Sequence, residues 1–429
     1  MLPVKIIKLK LLSRKSTLSG DILIPASKSH TIRAVAIATM AGGRSFLRNP
    51  LESADTRAAL RAATEFGARV KEDDNCWTID GTGGNISPVA SFIDVANSGT
   101  TLRIFSALAA LGSHPVTFDG DSSIRSRPMN PLLNALRNLG VTAKALNEKC
   151  PFTITGPLKG GVTEVDGISS QFLTALLLSS PIAKADTEIV VENLHEKPYV
   201  EITLDWLRSQ KIHFEQKGLD WFRVTGNQNY KAFDRHIAAD FSSATFALCA
   251  AAVTGSEILI KGLDFSDHQG DKQVFDYLGR MGMAIEEGNE GVTVTSKGLK
   301  GIEIDMNDTP DALPAMAVVG CIADGITKLF NVKQARLKEC DRISAITREL
   351  KKMGAKIEEI PDGVIVQKSK LKGTNVHGYH DHRMVMALAV AGMCAEGETI
   401  IDSAETISVT YPRFIDDFKD LGANLKRIN

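Results

Sequence analysis

Six times along this chain of 429 residues, a short polar cluster opens a strongly apolar stretch rich in Ala and Leu. The clusters are Ser27-Lys28-Ser29-His30, Asn97-Ser98-Gly99-Thr100-Thr101, Ser169-Ser170-Gln171, Asp240-Phe241-Ser242-Ser243, Asp308-Thr309-Pro310-Asp311 and His380-Asp381-His382-Arg383. Successive openings lie roughly 70 residues apart, the length of one repeated supersecondary unit. Such a unit buries its apolar face only against its neighbours, so the repeat constrains the fold before any single motif does.

The apolar stretches, as in Thr174–Ala183 and Arg383–Ala395, are apolar nearly all round and read as helices inside a core. A second helix with a more polar face follows in each unit. It usually ends in an apolar-Gly-apolar step: Phe66-Gly67-Ala68, Leu139-Gly140-Val141, Met281-Gly282-Met283, Met353-Gly354-Ala355 and Leu421-Gly422-Ala423. Glycine there suits the left-handed residue that closes a helix. The third copy has Gln210-Lys211-Ile212 at the same spacing. In five copies two alternating segments around a turn follow, as in Ala355–Glu359, Pro361-Asp362-Gly363 and Val364–Lys368, which is a hairpin signature. The sixth copy stops after its first strand, and the N-terminal segment is the expected source of the missing one. The pattern predicts an α/β protein of two similar three-unit domains, residues 26–239 forming one and residues 1–25 with 240–429 the other. Within that N-terminal segment, Met1–Ser16 alternates Lys with Ile and Leu and reads as an edge strand.

A length of 429 residues is too much for one ordinary core, which agrees with two domains. The net charge of −1 leaves no global basic field for nucleic acid or an acidic membrane. No apolar run reaches the roughly 18 residues that span a bilayer, and the start lacks a signal peptide's apolar segment and cleavage site. The six scattered cysteines form no CxxC pair and read as free thiols of a cytoplasmic protein.

Any anionic ligand must therefore be held locally. Helix starts present unpaired N–H groups and partial positive charge, and so bind anions. Ser, Thr, Asp and Asn at these openings also serve as plain N-caps. A cap has no need of Lys, Arg or His, yet Lys28, Arg33, Arg103, Arg125, Arg127, Arg336, Lys338, Arg342, His382 and Arg383 cluster at the openings or just before second helices. Arginine gives bidentate grip on carboxylate and phosphate, so the implied ligand is small and multiply negative. Among the interleaved carboxylates, Asp55, Asp341 and Asp381 are expected to pair with neighbouring bases. Asp311, with no base adjacent in sequence, reads as a general base.

The motifs Pro25-Ala26-Ser27-Lys28-Ser29, Asn97-Ser98-Gly99-Thr100-Thr101-Leu102-Arg103, Arg127-Pro128-Met129, Ser169-Ser170-Gln171-Phe172, Pro310-Asp311, Arg336-Leu337-Lys338-Glu339-Cys340-Asp341-Arg342 and Asp381-His382-Arg383-Met384 appear in that order. Together they resemble the 3-phosphoshikimate 1-carboxyvinyltransferase family, over nearly the full length. The resemblance implies two inverse α/β barrel-like domains, each of three βαβαββ repeats, with a substrate cleft between them. It implies transfer of the enolpyruvyl group of phosphoenolpyruvate to shikimate 3-phosphate, on the route to chorismate and aromatic amino acids. It implies no metal, no organic cofactor and a monomer with small-molecule substrates.

By motif, Lys28 would contact both substrates, with Ser29 and Arg33 on the shikimate ring and its carboxylate. Ser169, Ser170, Gln171, Tyr199 and Lys338 would complete the shikimate 3-phosphate site. Asn97, Gly99, Thr100, Arg127, Arg342, His382 and Arg383 would hold phosphoenolpyruvate. Asp311 would take the proton of the 5-hydroxyl, and Glu339 with Lys28 would protonate the methylene carbon. Three positions depart from the common pattern: Val409 replaces a frequent Lys, Glu196 a Ser and Gln334 an Asn.

A related enolpyruvyl transferase acting on UDP-N-acetylglucosamine usually has Lys-Asn at the first opening and a reactive Cys before Arg-Pro. This chain has Lys28-Ser29, and no Cys in Asp121–Ser126. A non-catalytic sensor paralogue, suggested by Val409 and Glu196, has no need of both Asp311 and Glu339. A P-loop is absent, since Ser27-Lys28-Ser29 lacks the glycine run. His377, His380 and His382 form a weak metal candidate in a Tyr, Asp and Arg setting.

Overall fold

A computed structural model describes residues 9–428. The chain divides into two compact units. One holds Ala26–Ala238 with Ser266–Gln269; the other holds the described residues up to Pro25, Ala239–Phe265 and the chain from Gly270 onward.

Both units repeat one design three times: an inner helix, an outer helix and a four-stranded sheet. In the 26–238 unit the inner helices are Lys28–Met40, Gly99–Ala109 and Ser170–Ser179. In the 239–428 unit they are Phe241–Thr254, Leu313–Ile322 and His382–Cys394, which pack on one another. Their burial follows from composition: every residue of Gly99–Ala109 is buried, and nearly every residue of the other five. Each large apolar side chain so placed contributes about 1.5–3 kcal/mol. The outer helices bury one stripe only; in Asn130–Asn138 it is Leu132, Leu133, Ala135 and Leu136.

The sheets share one topology. Glu303–Asp305 runs parallel to Ile326–Phe330, a pairing that needs the intervening helix as crossover. Gly363–Gln367 lies antiparallel on the other side, with Leu329 opposite Val364, and hairpins back to Lys356–Ile360. Two leading strands come from distant sequence. Asp21–Leu23 pairs with Glu257–Lys261, and Asp234–His236 pairs with Arg44–Arg48. The chain thus passes from one unit to the other between Pro25 and Ala26 and again between Ala238 and Ala239.

Of the expected edge strand within Met1–Ser16, the first eight residues lie outside the described range. Lys10–Arg14 is a strand, but an inner one, hydrogen-bonded to Glu398–Ile401 on one side and Asn424–Ile428 on the other. The physical reason is the sheet order: Lys10–Arg14 takes the place between Glu398–Ile401 and Asn424–Ile428, so both of its edges find ladder partners.

The glycines expected to close outer helices do so, Gly67, Gly140, Gly282, Gly354 and Gly422 all having φ between +87° and +109°. Lys211 adopts φ 57° in the third copy. Among the described residues no helix is long and apolar enough to cross a membrane.

Candidate active site

In the 26–238 unit, Ser27, Ser98 and Ser169 cap the three inner helices, so the N-cap reading holds at these positions. The remaining polar groups do more than cap. Lys28 begins the first inner helix, and its Nζ lies 3.2 Å from Asp55. Arg33, one turn further in, is buried; its Nε donates to Thr203, and its Nη groups donate to Thr174 and to the carbonyls of Ser29 and Tyr199. All four partners are neutral, and burial lowers its pKa to about 10. Arg33 thereby ties the first turn carrying Ser29 to the helix carrying Tyr199.

Gly99 starts the second inner helix beneath two guanidiniums. A Cβ there would sit 2.3 Å from Arg103 Nη1 and 2.6 Å from Arg127 Nη1. Arg103 also donates to Gln171 at 3.2 Å, and Arg127 to Ser123 at 3.1 Å. Asn97, just ahead of this helix, donates to Asp121. Thr100 is buried in the same first turn. Asn97, Gly99, Thr100, Arg103, Arg127 and Gln171 therefore fall into one neighbourhood. Arg125 does not join it: paired with Asp119, it is largely exposed.

At the third inner helix, Ser169 Oγ caps Gln171 N, while Ser170 Oγ donates to Glu196 at 2.9 Å. Glu196 is buried, with φ 57°, just before Lys197–Ser209. The residue that departs from the family pattern thus occupies the hydroxyl expected to face phosphate.

In the 239–428 unit one guanidinium organises the site. Arg342 opens an outer helix and is buried. Its Nε contacts Asp381 at 2.8 Å, its Nη1 Asp311 at 2.6 Å and its Nη2 Glu339 at 2.6 Å. Burial opposes its charge, but Asp381, Glu339 and Asp311 outweigh burial and hold its pKa well above the usual value. Arg383 reaches the other oxygen of Asp311 at 3.1 Å, and Lys338 lies 3.9 Å away. Asp381 caps its helix while binding Arg342, and His382 is buried in the first turn.

Pairing expected for Asp55, Asp341 and Asp381 is present, with Lys28, Arg336 and Arg342 respectively. Asp311 differs from expectation: it has no base beside it in sequence, yet three cations surround it in space, Lys338 and Arg342 from the start of the outer helix of its own repeat and Arg383 from the next repeat. Arg336 is held by Asp341 and Glu359, away from Asp311. Val409 and Gln334 are both buried. His377 pairs with Asp402 and His380 lies 3.9 Å from Glu405, so the three histidines do not converge. No metal-holding group of His, Cys, Asp or Glu occurs among the described residues.

Sequence reasoning missed Thr174 and Thr203, which fix Arg33, and Asp271 with Ser242. A signal for Asp271 existed. It lies just before an outer helix, where other copies supply Arg127, Glu196 and Arg342.

Repeated sheets around buried helices, with guanidiniums at the helix starts, define an α/β class with cationic helix N-termini. Residues 12–418 match the family model of EPSP synthase (3-phosphoshikimate 1-carboxyvinyltransferase). A 3-phosphoshikimate 1-carboxyvinyltransferase of Acetivibrio thermocellus is 46% identical over 414 residues, covering 96% of this chain and 98% of the relative. One of Methanocaldococcus jannaschii is 41% identical over 429 residues, covering 97% and 99%. The solved EPSP synthase of Acinetobacter baumannii has the same fold, with a TM-score of 0.83 at 24% identity over 98% of this chain and 100% of that one. The chain belongs to the EPSP synthase family.

Proposed function

We propose that the chain transfers the enolpyruvyl group of phosphoenolpyruvate to the 5-hydroxyl of shikimate 3-phosphate, releasing phosphate. The observation that carries this reading is that Arg342 engages Asp311 and Glu339 together, setting two carboxylates on one guanidinium. Asp311 takes the hydroxyl proton as its oxygen bonds to C2 of phosphoenolpyruvate. Glu339, with Lys28, supplies the proton that converts the methylene to a methyl group. The tetrahedral adduct then loses phosphate and a methyl proton.

Phosphoenolpyruvate is assigned to Lys28, Asn97, Gly99, Thr100, Arg127, Arg342, His382 and Arg383. Shikimate 3-phosphate is assigned to Lys28, Ser29, Arg33, Ser169, Ser170, Gln171, Tyr199, Asp311 and Lys338. Fixed cations and helix N-termini favour the charge that builds on the reacting phosphate and carboxylate. The enzyme acts in the cytoplasm as a monomer.

Phosphate release from phosphoenolpyruvate tests the reading, with shikimate 3-phosphate and UDP-N-acetylglucosamine as alternative acceptors. Release only with shikimate 3-phosphate is expected. Binding of shikimate 3-phosphate without turnover would instead favour a sensor.

A further inference from the structure

Asp271 is a buried carboxyl to which the reaction above gives no task. It precedes the outer helix Gln273–Met281. Its Oδ2 accepts a hydrogen bond from Ser242, in the first turn of the inner helix Phe241–Thr254. Its Oδ1 is buried and has no hydrogen-bond partner among the described residues. The backbone carbonyl of Ser242 accepts from Arg383 Nη1 at 3.1 Å, and Arg383 Nη2 holds Asp311. Arg383 Nε is also buried without a partner. A short path thus runs from Asp271 through Ser242 and Arg383 to Asp311.

We propose that Asp271 is a positioning residue for the transferase reaction, its charge setting how far the Arg383 guanidinium neutralises Asp311. The inference rests on Asp311 being the proton acceptor. The charged and titratable groups facing Asp271 are Asp311, Arg383 and Asp240, with Tyr277 on its own following helix. Burial, then the charge of Asp311, raises the Asp271 pKa to about 7, against the opposing pull of Arg383 and Ser242. As pH rises through that value Asp271 becomes an anion. It then draws on the charge of Arg383 and repels the charge of Asp311, and both effects make Asp311 a stronger base.

The test is the pH profile of kcat for phosphate release with shikimate 3-phosphate, in the unsubstituted protein, Asp271→Asn and Ser242→Ala. The unsubstituted enzyme should gain about tenfold in kcat between roughly pH 6 and 8. Asp271→Asn should match it at the acid end and stay flat above. Ser242→Ala removes a hydrogen bond that favours the anion, so its rise should move to higher pH. A rise that persists in Asp271→Asn, or a loss equal at every pH, overturns the proposal.

Thermal unfolding supplies a readout independent of turnover. A carboxyl whose folded pKa lies above its unfolded value destabilises the fold as pH rises between the two. The Tm of Asp271→Asn should therefore gain on that of the unsubstituted protein from about pH 5 to 8. A gap that does not widen overturns the role given to Asp271. No release by the unsubstituted protein at any pH would sink the transferase reading itself.

Discussion

At the scale of single residues, Gly99 shows how backbone makes room for charge. Its φ is not in the left-handed region, so the backbone would accept alanine. What would not accept it is the pair of guanidiniums within 2.6 Å of any added Cβ. In Gly99→Ala, Arg103 and Arg127 must both shift, while the helix start itself loses nothing. The KM for phosphoenolpyruvate should rise about 10- to 100-fold, the scale expected when a binding group moves by roughly 1 Å. The urea midpoint should stay near that of the unsubstituted protein; a fall in stability with KM unchanged would mean that Gly99 matters for packing alone. The basic residues of such a site are legible in sequence because Lys and Arg stand out against apolar surroundings. Their partners are less so. Thr203 holds Arg33 from 170 residues away, and nothing local marks it. Asp311 looked isolated because its cations lie 27 or more residues away, Lys338 and Arg342 later in its own repeat and Arg383 in the next.

At the scale of elements, most of the design was readable because it is periodic. Inner helices declared themselves by unbroken apolar composition, and outer helices by their glycine closures. The third copy tests the second rule. Lys211 sits where the other outer helices have Gly, at φ 57° and exposed to solvent. An L-residue in the left-handed region costs about 1–2 kcal/mol, partly offset by the greater unfolded-state freedom of glycine. Lys211→Gly should therefore stabilise the protein by about 0.5–1 kcal/mol, seen as a higher urea midpoint at unchanged slope. A lower midpoint would mean that the Lys211 side chain makes a stabilising contact. The short one-turn elements were not readable. Ser122–Ser126 and Lys333–Leu337 are too brief for any period, and tertiary contacts such as Arg336 with Glu359 decide them.

At the scale of the whole molecule, strands from one end of the chain complete sheets made by the other. Residues 10–14 fill the gap in the sixth repeat, so the unit carrying Asp311 and Arg342 depends on a segment some 300 residues away in sequence. Alternation of Lys with apolar residues made the strand legible but could not tell edge from interior, since alternation reports faces and not neighbours. Proline scanning makes the distinction. Successive residues of a strand direct their N–H groups to opposite sides, so an edge strand tolerates proline where the N–H faces solvent. Lys10–Arg14 has partners on both sides, and each position lost leaves a buried carbonyl unsatisfied. Leu11→Pro and Leu12→Pro should each be less stable than the matching alanine variants by about 1–3 kcal/mol. The alanine variants already lose about 2–5 kcal/mol from cavities in the core. The excess is read from urea unfolding followed by circular dichroism, because Trp77, Trp206 and Trp221 all lie in the 26–238 unit and their fluorescence follows that unit alone. An excess at only one of the two positions would return the segment to an edge.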